Sequence, residues 1–172
     1  MSMRKVRLGC LMFVTMVLLL SCHPHDTQNL PKYDRQQVAE IISNHDTTIL
    51  YFMTSWCHAG QHNFENNLKP YLGNAFDTKA IAVVCIGEVE QVSSLENDNK
   101  NVFLFGHPSC QSLADKMFIN KECKKLLSHY KRVNYIPVEL VCDRNGEILN
   151  WNTDETIDRT YGFIYPYLIG WK

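Results

Sequence analysis

Residues 47–61 constrain this chain more than any other stretch. Thr47-Thr48-Ile49-Leu50-Tyr51-Phe52-Met53 is a β-branched and aromatic run of strand length, followed by Thr54-Ser55-Trp56-Cys57-His58-Ala59-Gly60-Gln61. A run that is apolar at successive positions asks for a strand covered on both faces. Beyond Cys57, the apolar positions Phe64, Leu68 and Tyr71–Leu72 recur at helical spacing and Pro70 marks a stop, so the pattern predicts a helix from Cys57 to about Lys69. A thiol therefore opens a helix at the end of a buried strand. Unpaired backbone N–H groups and the positive end of a helix dipole favour the thiolate there, and a protonated His58 would add to the effect. Three residues on, Gly60 holds no second thiol.

The first residues read as an address. Arg4, Lys5 and Arg7 form a basic region ahead of the apolar run Leu11–Leu20, which is too short for an ordinary membrane span. Leu19-Leu20-Ser21-Cys22 has the form of a bacterial lipobox, which implies cleavage before Cys22 and acylation of its thiol; a plain secretory signal is the alternative. The expected organisation is a lipoprotein signal over 1–21, a lipidated tether over 22–32 and one domain over 33–172, held at the bacterial cell envelope facing the periplasm or exterior. The chain carries 17 Lys+Arg against 18 Asp+Glu. Three of the basic residues lie in the leader, so the remainder is mildly acidic and has no basic run suited to nucleic acid.

Along the domain, Tyr33–Asn44 reads as a helix with Asp34 as N-cap and Val38, Ile41 and Ile42 on one face. Lys79–Ile86 is a second strand buried on both faces. A short helix near Glu88–Glu96 leads to a third strand, Asn101–Phe105. Residues 111–132 read as mostly helical with a break near Asn120. Val138–Cys142 and Glu147–Trp151 flank Asp143-Arg144-Asn145-Gly146, an Asn-Gly hairpin signal. Asn152 with Glu155 forms a capping box for a last helix with Ile157, Tyr161, Ile164 and Leu168 on its inner face.

This order and two local motifs, Trp56-Cys57-His58-Ala59-Gly60 and Tyr135-Ile136-Pro137-Val138 with Asp143-Arg144-Asn145-Gly146-Glu147-Ile148, resemble the thioredoxin-like superfamily, and within it the envelope-anchored thiol–disulfide oxidoreductases. The resemblance spans roughly residues 33–170. It implies an α/β fold with a central mixed sheet of parallel strands, a C-terminal antiparallel hairpin, and helices on both faces. It further implies a cis bond at Ile136–Pro137 facing a nucleophilic Cys57, with Trp56, His58, Ile136 and Pro137 contacting substrate. Two departures stand out: Gly60 replaces the resolving cysteine, and Tyr51 occupies a position where many thioredoxins carry a buried acid.

Five of the seven cysteines lie beyond Cys22: Cys57, Cys85, Cys110, Cys123 and Cys142. An odd number in an oxidising compartment leaves at least one free thiol or an intermolecular bond. Cys142 lies about 16 Å from Pro137 along an extended strand, beyond disulfide reach of the site. Cys85 reads as packed. Cys110 follows the loop Gly106-His107-Pro108-Ser109 and is the better candidate to reach Cys57, but a Cys110–Cys123 disulfide competes, and that pair is the expectation. His107, Cys110, Cys123 and His129 have a metal-like spacing without the paired Cys-x-x-Cys of a strong zinc signal, so neither a metal nor a cofactor is expected.

Each site residue has a plainer reading. Cys57 could be a small buried hydrophobe, Trp56 a core aromatic, and His58 and His62 exposed polar residues. Thr54-x-x-Cys57 also resembles the peroxiredoxin pair, without that family's upstream proline. Two functions stay open. One is a monothiol oxidoreductase that attacks a protein or small-molecule disulfide, with a disulfide-containing protein or small thiol as partner and an external reductant thiol to resolve it. The other is a thioredoxin-fold binding module without turnover at the membrane surface.

Overall fold

The computed structural model describes residues 30–74, 79–93, 95, 98–110, 113–132 and 134–151. The leader, Cys22 and the capping box of Asn152 with its apolar stripe lie outside the described residues.

Helix α1, Arg35–Asn44, starts at Asp34, whose Oδ1 accepts the Gln36 amide at 2.8 Å. Capping by an acidic side chain satisfies one of the four unpaired N–H groups of the first turn. Strand β1, Thr47–Thr54, follows; then helix α2, His58–Asn63, whose path continues through a π turn, Phe64–Leu68, and a 3-10 turn, Lys69–Asn74. Next come strand β2 (Lys79–Ile86), helix α3 (Glu90–Ser93), strand β3 (Val102–His107), helix α4 (Leu113–Leu126), strand β4 (Val138–Asp143) and strand β5 (Ile148–Trp151).

The strands form one sheet in the order β3-β2-β1-β4-β5. β1 pairs parallel with β2, and β2 with β3; β4 runs antiparallel to both β1 and β5. β1 and β2 are buried at every position but the first, as their unbroken apolar runs require. The connections β1→β2 and β2→β3 cover one face, where Phe64, Leu68, Leu72, Val89 and Val92 pack on Ile49, Tyr51, Met53, Ile81 and Val83. On the other face Val38, Ile41 and Ile42 of α1 and Ile119, Cys123 and Leu127 pack on Leu50, Phe52, Ala82 and Val84. Each large side chain fully withdrawn from water here contributes about 1.5–3 kcal/mol. This is a thioredoxin-like α/β fold, with the expected hairpin at its C-terminal side. β1 is central, and the chain leaves its C-terminal end at the point where the connections diverge to opposite sides, the position where open α/β sheets place their sites.

Two local details follow from the sequence. Gly146 has φ +75°, as the hairpin turn demands, and a Cβ there would stand 2.8 Å from the Leu126 carbonyl oxygen. Asp143 Oδ1 accepts the amides of Asn145 and Glu147, each at 2.9 Å, which fixes the loop. A buried Glu122 on α4 accepts Arg35 Nε at 2.5 Å, Arg35 Nη2 at 2.8 Å and the Tyr33 hydroxyl at 3.0 Å, tying α4 to the start of α1. Burial alone would raise the Glu122 carboxyl; these donors outweigh it and hold the group below the usual carboxylate range.

Three sequence expectations are corrected. α4 has no break at Asn120, because the Asn120 side chain donates to the Lys116 carbonyl within the helix and accepts the Tyr130 hydroxyl. It also ends at Leu126, where Ser128 bridges to the hairpin and His129 takes φ +59°. The helix after Cys57 is not one α-helix but passes through the π and 3-10 turns.

Candidate active site

Cys57 stands at the N-cap of α2 in extended backbone, φ −98° and ψ 93°, and its amide donates to the Thr54 carbonyl at 3.2 Å. The thiol is half-buried and donates to the Ile136 carbonyl at 3.3 Å. Ile136–Pro137 is cis, and Pro137 is buried. Gly60, one turn along α2, completes the contact: a Cβ built there would lie 3.6 Å from Cys57 Sγ and 3.6 Å from both Cβ and Cδ of Pro137. These are ordinary van der Waals distances, so neither space nor backbone torsion requires glycine at this position.

Behind the thiol lies a polar cluster that the sequence reading missed. The Tyr51 hydroxyl, fully buried, donates to the Gly60 carbonyl at 2.9 Å. Directly opposite Tyr51 in the β1–β4 register is Glu139, 2% exposed, whose Oε1 accepts the side-chain amide of Asn63 on α2. Burial pushes the Glu139 carboxyl up to about 7, with the Asn63 bond pulling the other way. Burial first, and then the Glu139 charge, push the Tyr51 phenol well above its ordinary value. An acid is thus buried beside the site, supplied by the neighbouring strand. The signal was a single Glu in the otherwise apolar Val138-Glu139-Leu140-Val141-Cys142, a charge at a position covered on its own face.

Trp56 is fixed by a second cluster. Its Nε1 donates to Asp115 Oδ2 at 2.8 Å; the same oxygen accepts the Ser109 hydroxyl at 2.6 Å, and Asp115 Oδ1 accepts the Cys110 amide at 2.9 Å. Asp115 and Ser109 are both buried. Gly87, at φ +83° just past β2, lies between the two loops: a Cβ there would fall 2.2 Å from Ser55 Oγ and 3.1 Å from Ser109 Cβ. Here glycine is required, both by the left-handed backbone and by the close approach.

Cys57, Gly60, Ile136 and Pro137 therefore converge, and Trp56 is held beside Cys57 by Asp115. His58 and His62 are exposed on α2; the His62 carbonyl accepts the Asn66 side chain at 2.8 Å. The expected Cys110–Cys123 disulfide is not made. Both thiols are free; Cys110 is exposed in the loop before α4, whereas Cys123 is fully buried against the sheet, about 15 Å along the unbroken helix from its first residue, Leu113. Burial pushes the Cys85 and Cys123 thiols far above their ordinary value, and burial with the nearby Asp143 pushes Cys142 up to about 12. Among the described residues no group of His, Cys, Asp and Glu could hold a metal. His107 instead stacks on Phe118, ring centroids 3.8 Å apart, and burial lowers its imidazole.

No protein-family model and no curated protein matches the chain. Among solved structures it is similar to StoA from Bacillus subtilis, at 22% identity over 64% of this chain and 76% of that one, TM-score 0.39. It is also similar to the exposed lipoprotein thioredoxin Etrx1 of Streptococcus pneumoniae, at 15% identity over 77% and 89%, TM-score 0.44. A third is a putative thiol-disulfide oxidoreductase from Bacteroides vulgatus, at 13% identity over 84% and 89%, TM-score 0.44. It is the strand order described above, not these likenesses, that makes the fold thioredoxin-like.

Proposed function

We propose that this protein is a thiol–disulfide oxidoreductase working through Cys57, anchored to the bacterial envelope by a lipid on Cys22. The observation that carries the reading is the half-buried Cys57 thiol set 3.3 Å from the Ile136 carbonyl beside the buried Pro137. Trp56, the residue before Cys57, and the 136–137 backbone are read as the surfaces that meet a disulfide at the thiol. The thiolate of Cys57 attacks one sulfur of the substrate disulfide, forming a mixed disulfide and releasing the other sulfur as a thiolate, which takes up a proton. Glu139 and Tyr51 lie behind the thiol and can hold a proton there without exposing it to solvent. Gly60 supplies no second thiol, so release of the mixed disulfide needs a thiol from elsewhere, and an external reductant thiol is the general source.

The leader over 1–21, the tether over 22–32 and a domain running to 172 belong to the same proposal. No described helix is long and apolar enough to cross a membrane. Digesting the envelope-bound protein and finding a diacylglyceryl-modified Cys22 at the new N-terminus is the expected result for the anchor.

The chemistry is tested by treating the reduced full-length chain, in detergent, with a limiting amount of a small aromatic disulfide and mapping the adducts. The adduct is expected on Cys57 first and to be lost from that position in Cys57→Ser. An adduct that forms on Cys110 alone contradicts the reading.

A further inference from the structure

The two clusters around Trp56 and Gly87 bring a second thiol to the rim that holds Cys57. Cys110 lies just past the C-terminal end of β3, Cys57 just past that of β1, and β1 and β3 are parallel to the strand between them. Gly87 has no side chain, which lets Ser55 and Ser109, close neighbours of the two cysteines in sequence, approach the same point. Independently, the Asp115 carboxylate takes the Trp56 indole N–H on one oxygen and the Cys110 amide on the other. The segments carrying Cys57 and Cys110 thus meet at two shared points, Gly87 and the Asp115 carboxylate. Of the other described thiols, Cys85, Cys123 and Cys142 are fully buried, so Cys110 is the exposed one.

We propose that Cys110 is the thiol that resolves Cys57. The inference rests on the reading of Cys57 as the nucleophile and identifies a resolving group within the chain where position 60 has none. After Cys57 has formed its mixed disulfide with the substrate, the Cys110 thiolate attacks Cys57 Sγ. The bond between Cys57 and the substrate sulfur breaks, a Cys57–Cys110 disulfide forms, and the substrate leaves as a thiolate that takes up a proton. The chain is then oxidised by two electrons, and an external thiol reductant returns both cysteines to thiols. In the structure both sulfurs are free, with Cys57 hydrogen-bonded to Ile136. Closing the bond moves the exposed Cys110, at the cost of its amide bond to Asp115, while Ser109 and the sheet stay buried.

The test uses the reduced full-length protein in detergent and one equivalent of 4,4'-dithiodipyridine, with acid quenching and peptide mapping to keep Cys10 and Cys22 apart from the site thiols. Wild-type chain is expected to release two equivalents of thiopyridone and to yield a linked Cys57–Cys110 peptide pair. Cys110→Ser and Cys110→Ala are expected to stop at the Cys57 adduct, with its lifetime extended at least about tenfold. A Cys57 adduct that persists equally in wild type and in both variants overturns this inference and leaves the nucleophile intact. A Cys57 that takes no adduct in any of the three overturns both.

Discussion

Tyr51 and Glu139 face each other across β1 and β4, one carrying its hydroxyl to the Gly60 carbonyl and the other its carboxyl to Asn63. Both partners on α2 lie within two turns of Cys57, so the buried pair holds the helix that presents the thiol from beneath. The acid is not in β1, where the family pattern would put it, but in the next strand and on the same face.

The raised Glu139 carboxyl has a consequence for stability. Between the usual carboxylate value of 4.5 and about 7, the folded chain keeps a proton that the unfolded chain has lost. Stability from this group is therefore full below pH 4.5 and falls as pH rises to about 7, by about 3 kcal/mol in all. Glu139→Gln keeps an acceptor for Asn63 and removes the titration. Urea midpoints measured at pH 5 and pH 8 are expected to diverge for wild type and to close up by about that amount for the variant, which should be the more stable of the two at pH 8.

Gly60→Cys places a new Cβ 3.6 Å from Cys57 Sγ, about half an ångström longer than the same separation across an S–S bond. The variant is expected to fold, to form a disulfide between Cys57 and the introduced thiol in air, and to give that linked peptide on mapping without reductant. An introduced thiol linked to any other cysteine would show that the wall formed by Cys57, Gly60 and Pro137 is wrongly drawn.

Asp115→Ala strands three donors at once: the Trp56 indole, the Ser109 hydroxyl and the Cys110 amide. A buried donor without an acceptor costs about 1–3 kcal/mol. Water entering the space offsets part of this, and a net loss of about 3 kcal/mol is expected by denaturant unfolding. Dynamic quenching of Trp56 by iodide, read in a chain with Trp151 and Trp171 replaced by Phe, should rise in step.

Gly87→Ala meets both a left-handed backbone and the Ser55 side chain, with Ser55 Cβ itself only 2.9 Å from the added atom. A loss of at least about 2 kcal/mol is expected. Ser55→Ala should not restore it, because the clash with Cβ remains; Ser55→Gly should restore part of it.

The fold was legible because its strongest signals are local. The runs 47–53 and 79–86, the Asp34 cap and the Asn145-Gly146 turn each determine one element, and the structure places all four, the first strand one residue longer than read. What could not be read was which strands lie side by side. Glu139 became a site residue only once β4 was placed against β1, and Asp115 only once α4 was set beneath Trp56. The Cys110–Cys123 pair is not formed in the structure, where the unbroken α4 holds Cys123 against the sheet and Cys110 is exposed in the loop before it. Of the site itself, Trp56-Cys57 and Ile136–Pro137 were visible as motifs, since each is a short run with its own backbone demands. The clusters behind them are assembled from separate elements and have no motif of their own.

The central claim is that Cys57 is the nucleophile, and the rate of its alkylation by iodoacetamide as a function of pH tests this most directly. Cys110 in the same sample is the internal standard, because it is exposed while Cys57 is only half-buried. The account predicts that Cys57 is alkylated faster than Cys110 near neutral pH despite its lower exposure. A Cys57 slower than Cys110 across the whole range would mean a thiol governed by exposure alone, and would contradict the oxidoreductase reading.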